Sequence, residues 1–205
     1  MSYKVIVFDF GGVLYNVDYF ATSKALGKLS DSPEIFENMS LVKIMNFACD
    51  FEKGLISADE FRSYIKATYK LNGSDNEINA AWNAMLLGIK SEAADFISKI
   101  KKMYPIALLS NTNSIHYDFF KKESVELLKL FGKVFLSYKI GMRKPDSEIY
   151  EFVCKNLDVL PDEVLFIDDS EKNISAAKEA GLHVIHFSDG LELSDLLHTI
   201  EHIPH

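Results

Sequence analysis

Asp9 closes the apolar run Val5 to Phe8 and is followed almost at once by Gly11 and Gly12. A carboxylate at the end of a buried strand, beside glycines that let other groups approach the backbone, is equipped to act as a nucleophile or to help hold a cation. Other polar groups stand in the same relation to later apolar runs. Ser110-Asn111-Thr112 follows Ile106 to Leu109, and Asp168-Asp169 follows Val164 to Ile167; Lys144-Pro145 precedes an amphipathic stretch. Taken singly, each has an ordinary structural role: a turn at Asp9, a helix cap at Ser110, an acidic first turn at Asp168 and Asp169, a solvated loop at Lys144. Together they place three carboxylates, a hydroxyl and an ammonium at strand ends, where open parallel sheets bind ligands. Like charges at 4 Å repel by roughly 4 kcal/mol per pair at an effective dielectric of about 20. One lysine offsets only part of that. A divalent cation with hard oxygen ligands, Mg2+, answers the rest.

The elements that must position these groups are readable from hydrophobic periodicity. The runs Val5 to Phe8, Ile106 to Leu109, Val134 to Leu136, Val164 to Ile167 and His183 to Phe187 are too short for helices and predict buried strands. Amphipathic stretches at Ser91 to Met103, Asp146 to Leu157 and Ser170 to Ala180, the last ended by Gly181, predict helices between them. Alternation of the two predicts an α/β fold, a Rossmann-like parallel sheet with helices on both faces. From Tyr15 to Leu87 no convincing strand is visible, and the segment reads as helices throughout. One helix starts at a capping box, Ser57 with Glu60, and continues with Phe61, Tyr64, Ile65 and Thr68 at helical spacing. Roughly 70 residues is far too long for a plain crossover. The expected organisation is a core of residues 1–15 and 88–205 with an all-helical cap, residues 16–87, inserted over the C-terminal edge of the sheet.

Composition narrows the partners. The 205 residues carry 48% hydrophobic and 25% charged side chains and a net charge of −8, with Arg62 and Arg143 as the arginines. That average field repels nucleic acid and anionic membrane surfaces, so neither is an expected partner. The two cysteines, Cys49 and Cys154, lack metal-type spacing and read as reduced and buried. The apolar runs are too short to span a bilayer, and a cytoplasmic protein is expected.

The order of these groups resembles the four motifs of the haloacid dehalogenase superfamily, most of whose members are phosphatases: strand then Asp9-Phe10-Gly11-Gly12-Val13-Leu14, strand then Ser110-Asn111, Lys144-Pro145, strand then Asp168-Asp169. The stretches 109–116, 141–150 and 166–182 are similar to the subgroup that includes bacterial α-glucose-1-phosphate phosphatase, and in the cap residues 52–61 add to the match. The resemblance implies a Mg2+-dependent phosphatase of a small-molecule phosphate ester, a sugar phosphate such as a hexose 1-phosphate. It implies Asp9 as nucleophile forming an aspartyl-phosphate, with Asp9, the Gly11 carbonyl and Asp169 holding the cation and Asp168 a direct or water-mediated ligand. Ser110, the backbone and side chain of Asn111, and Lys144 would bind the phosphoryl oxygens, and Asn173 would fix Lys144.

One position departs from that pattern. The superfamily's phosphatases usually carry a second Asp two residues after the nucleophile, as acid and base toward the leaving group; here Gly11 stands there. Such catalysis contributes ~10²–10⁴-fold. Asp18 and Tyr15 are the nearest substitutes, Asp18 equally suited to cap the first cap helix. A substrate with an acidic leaving hydroxyl, as in anomeric sugar phosphates, needs little help and is the preferred reading. Alternatives are a catalytically weak phosphate-binding protein and a metal-independent 2-haloacid dehalogenase, against which the Asp168-Asp169 pair argues. Elsewhere, His198, His202 and His205 read as a solvated helical tail. His116 reads as a surface or packing residue. Phe20, Phe47, Phe51, Phe61, Tyr64 and Trp82 read as cap core, with Phe47 or Trp82 candidates for a pocket wall; Asp50 and Glu52 lie in a segment that could face substrate.

Overall fold

Five apolar runs pair into one sheet. The computed structural model describes residues 3–37, 48–188 and 190–203, and in it these runs are β1 (Val5–Phe8), β4 (Ile106–Ser110), β5 (Lys133–Leu136), β6 (Val164–Asp168) and β7 (His183–His186). All pairs are parallel, in the order β5-β4-β1-β6-β7. Side chains alternate between faces with a period of two. Ile6, Phe8, Ile106, Leu108, Leu165 and Ile167 meet α5 (Ala93–Ile100), α6 (Ser114–Leu128) and α10 (Leu193–Glu201) on one side. Val5, Val7, Ala107, Leu109, Val164 and Phe166 meet α8 (Ser147–Leu157) and α9 (Glu171–Glu179) on the other. Because both faces are covered, the strands read as unbroken apolar runs. The register sets the site: Phe8 lies opposite Leu108 and Ile167, so Asp9 leaves the central strand beside Asp168.

The segment after β1 has a core of its own. Helices α1 (Tyr19–Gly27), α2 (Glu34–Glu37), α3 (Ala58–Tyr69) and α4 (Asp75–Asn83) gather Leu26, Phe51, Phe61, Ile65, Ile78 and Trp82. Capping boxes at Ser57 with Glu60 and at Ser74 with Glu77 start α3 and α4. The buried stripe of α3 is Phe61, Ile65 and Tyr69; Tyr64 and Thr68 point outward, one position off the expected face. Phe20 is likewise exposed rather than core, at 81%. Phe47 and His205 lie outside the described residues.

Helices throughout Tyr15 to Leu87 is corrected by a two-stranded antiparallel ribbon, β2 (Tyr15–Val17) with β3 (Leu86–Ile89), through which the chain enters and leaves the helical segment. Each strand is too short to show a period, and each finds its hydrogen-bonding partner only across the whole insertion. Cys154 is buried, but Cys49 keeps partial exposure; both are free thiols. Among the described residues no helix is long and apolar enough to cross a membrane.

Candidate active site

Lys144 organises the rim. It is 1% exposed, and its three ammonium protons are all used: Nζ donates to Asp9 Oδ1 at 2.6 Å, to Asp168 Oδ2 at 2.6 Å and to the Leu109 carbonyl at 2.9 Å. The loop that delivers it is fixed by Asn111, whose Oδ1 accepts from the Lys144 N–H at 2.9 Å while its Nδ2 donates to the Lys144 carbonyl at 2.8 Å. Asp168, wholly buried at the end of β6, also accepts from the Ser170 N–H at 2.8 Å and from Asn173 Nδ2 at 2.9 Å and 3.1 Å. Tyr150 in turn donates its hydroxyl proton to the Asn173 carbonyl. Asp169 completes the group: one carboxylate oxygen from each of Asp9, Asp168 and Asp169 lies within 4.8 Å of the other two.

Three acids share one buried cation, and their titration shows the strain of it. Burial raises the Asp9 carboxyl to about 7; Lys144 opposes that rise, while Asp168 and Asp169 add to it. Burial, then Asp168, raises Asp169 as well. Burial works against the charge on Lys144, but Asp168 and Asp9 overcome it and hold the ammonium above the ordinary lysine range. A nucleophilic carboxylate must be ionised, and a second positive charge beside Asp9 and Asp169 favours that form. The donor set, carboxylate oxygens at close quarters, suits Mg2+. Gly12 makes room for it: its φ is +75°, and a Cβ there would fall 2.1 Å from Asp169 Oδ2.

The remaining candidates divide. Ser110 is buried at the end of β4, and its hydroxyl makes only a long 3.5 Å contact to the Asn111 carbonyl, leaving its donor for a ligand. The Asn111 amide, expected on the phosphoryl group, is occupied at both ends by the Lys144 main chain. Asn173, expected to fix Lys144, reaches it through Asp168. The hydroxyl of Tyr15, a candidate substitute acid, is held by Glu123, and its ring packs against Phe10 and Phe120. Asp18 is the N-cap of α1, accepting from the Phe20 N–H at 2.9 Å. His116 is buried, stacked on Trp82 with 5.3 Å between ring centres, and so joins cap to core.

Several neighbours of the site carry no short-range signal in the sequence. Lys90, just past β3, donates to the Gly12 carbonyl at 2.7 Å and so props the turn after Asp9. Desolvation and the negative charge of Asp169, Asp9 and Glu52 keep the Tyr19 phenol protonated, although half of the residue is exposed. Arg143 binds Glu52 of the cap at 2.9 Å.

Comparison with known proteins gives the family. The model of a family described as haloacid dehalogenase-like hydrolase matches residues 3–181. The chain belongs to that family. Among other haloacid dehalogenase-like hydrolases, it is 32% identical over 196 residues to a D-ribitol-5-phosphate phosphatase of Bacteroides thetaiotaomicron, covering 92% of this chain and 94% of the relative. A sesquiterpene phosphatase of Aspergillus oryzae is 29% identical, with 93% and 92% covered. The solved structure of a HAD family enzyme from Bacteroides thetaiotaomicron, in complex with magnesium and inorganic phosphate, superposes with a TM-score of 0.83 at 34% identity, covering 95% of this chain and 99% of that one. The chain is thus a hydrolase with phosphatases for relatives along nearly its whole length. Those relatives are named for ribitol and sesquiterpene phosphates, so the narrower resemblance to glucose-1-phosphate phosphatases stays an expectation.

Proposed function

We propose that this hydrolase removes phosphate from small phosphorylated sugars and sugar alcohols, with Mg2+, by way of a phosphoryl group carried on Asp9. The observation that carries the reading is Lys144 bonded at once to Asp9 and Asp168, with Asp169 closing the carboxylate group. Asp9, Asp169 and the Gly11 carbonyl would hold the cation, which when bound neutralises phosphate charge near the nucleophile. Asp168 serves chiefly to aim Lys144, because both of its oxygens already accept from protein donors. Asp9 attacks phosphorus, the ester oxygen leaves, and water then cleaves the aspartyl-phosphate, so that one difficult step becomes two. The Ser110 hydroxyl meets an equatorial oxygen where transition-state charge collects, and Lys144 stabilises the same charge once the proton it gives Asp9 turns to the phosphoryl group. Helices α1 to α4 belong to a cap over the strand tips.

Substrate choice within this class follows from Gly11 and from the relatives. With no carboxylate at Gly11, anomeric hexose 1-phosphates, whose leaving hydroxyl is the more acidic, need the least proton transfer. The D-ribitol-5-phosphate phosphatase points instead to alditol phosphates. A screen of hexose 1-phosphates, alditol phosphates and 2-haloacids, with Mg2+ and with EDTA, tests both. Phosphate release that stops with chelator is the expected result; halide release that survives chelation would replace this reading with dehalogenation.

A further inference from the structure

Residues 52 and 53 of the helical insertion pair with the loop that carries Lys144. Arg143 Nε donates to Glu52 Oε2 at 2.9 Å, and Lys53 pairs with Asp146 at 2.6 Å. Gly54, at φ +67°, brings its backbone so close to the core that a Cβ would lie 2.2 Å from the Tyr138 carbonyl oxygen. Two neighbouring cap residues of opposite charge therefore engage two residues of opposite charge that flank Lys144-Pro145. From the core side the same loop is fastened by the Asn111 amide at the Lys144 N–H and carbonyl. Lys144 sits between the two attachments.

The inner pair is the stronger of the two. Arg143 and Glu52 keep only 14% and 21% side-chain exposure, against 30% and 41% for Lys53 and Asp146. Sheltered charges are little screened, whereas exposed pairs contribute little. Burial raises the Glu52 carboxyl above its ordinary range, and Arg143 offsets only part of that rise. Separating the pair leaves a sheltered charge uncompensated one peptide bond from the catalytic lysine.

We propose that the Glu52–Arg143 pair is a positioning device: it seats the cap on the core and, through the same contact, holds Lys144 in line with Asp9 and Asp168. Neither residue touches the reacting atoms; both act through Lys144. The kinetic consequence rests on the phosphatase reading, but the geometric one does not.

The test compares Glu52→Gln, Arg143→Met and the swapped pair Glu52→Arg with Arg143→Glu against the wild type. Two readouts are used: steady-state kinetics on an ester the wild type hydrolyses, and the NMR signal of the Lys144 ammonium, whose three hydrogen bonds slow its exchange. Expected are a fall in kcat of about tenfold in each single variant with KM within twofold, faster exchange of the ammonium, and recovery of both in the swapped pair. Unchanged kcat, or a rise in KM alone, overturns the proposal by making the pair a mere tether or a substrate contact. If the wild type hydrolyses no ester, the functional reading fails, and the ammonium signal alone decides: the same signal in all variants overturns the positioning role. Should the single variants not fold, Glu52→Asp keeps the charge and shortens the reach. Lower kcat at unchanged KM then supports the proposal, and wild-type kcat overturns it.

Discussion

At Asp9 the competition of three carboxylates for one ammonium makes the site sensitive to single atoms. Asp9→Asn keeps the shape and removes the attacking charge, so phosphate release is expected to drop to background while the thermal midpoint moves by only a few degrees; measurable turnover would remove Asp9 from its role. The two glycines that follow behave differently. Gly11 has ordinary backbone angles, and a Cβ there meets only Val17 Cγ2, at 3.4 Å, so a side chain is tolerated. Gly11→Asp therefore supplies the absent acid, and hydrolysis of alkyl phosphates should rise toward the ~10²-fold end of what such groups contribute; a fall across the whole substrate panel contradicts this. Gly12→Ala is the reverse case. Its positive φ costs about 1–2 kcal/mol with a Cβ, and the methyl displaces the Asp169 carboxylate. The Mg2+ concentration giving half activity should rise more than tenfold, as a metal titration would show.

The elements explain what was legible beforehand. The five core strands and the helices after them were plain, because each buries both faces or one stripe and so writes a period into the chain. Asp9, Ser110 and Asp168 were found because strand ends are where ligands bind. What stayed hidden depends on contacts between distant segments: the β2–β3 ribbon, Lys90 on the Gly12 carbonyl, and Glu52 on Arg143. The Asn111 amide belongs to the same group, since its partner is a main chain 33 residues away in sequence. Asn111→Ala deletes two hydrogen bonds of about 1 kcal/mol each. Unfolding in urea should show a loss of roughly 2 kcal/mol, and kcat should fall with it because Lys144 loses its anchor; a loss of stability without any change in kcat would separate the clamp from catalysis.

Across the whole molecule, the seam between cap and core contains a histidine that resists protonation. Burial lowers His116 to about 3, and its Nδ1 lies 2.8 Å from Asn83 Oδ1. Since the unfolded chain takes up that proton near pH 6.5 and the folded one only near 3, the unfolded state binds more protons in between. Stability is complete above about pH 6.5 and declines below it by up to roughly 1.4 kcal/mol per pH unit. Denaturation midpoints measured from pH 8 to pH 4 should show that slope, and His116→Phe, which preserves a ring against Trp82, should flatten it; an equal slope in the variant would place the acid sensitivity elsewhere. The ribbon of β2 and β3 has a consequence of another kind. Because the chain departs and returns on neighbouring strands, the whole helical segment is, topologically, one very long hairpin loop. It can be resized or exchanged without rethreading the sheet, so selectivity is free to evolve by recombination while the hydrolytic machinery beneath is inherited intact.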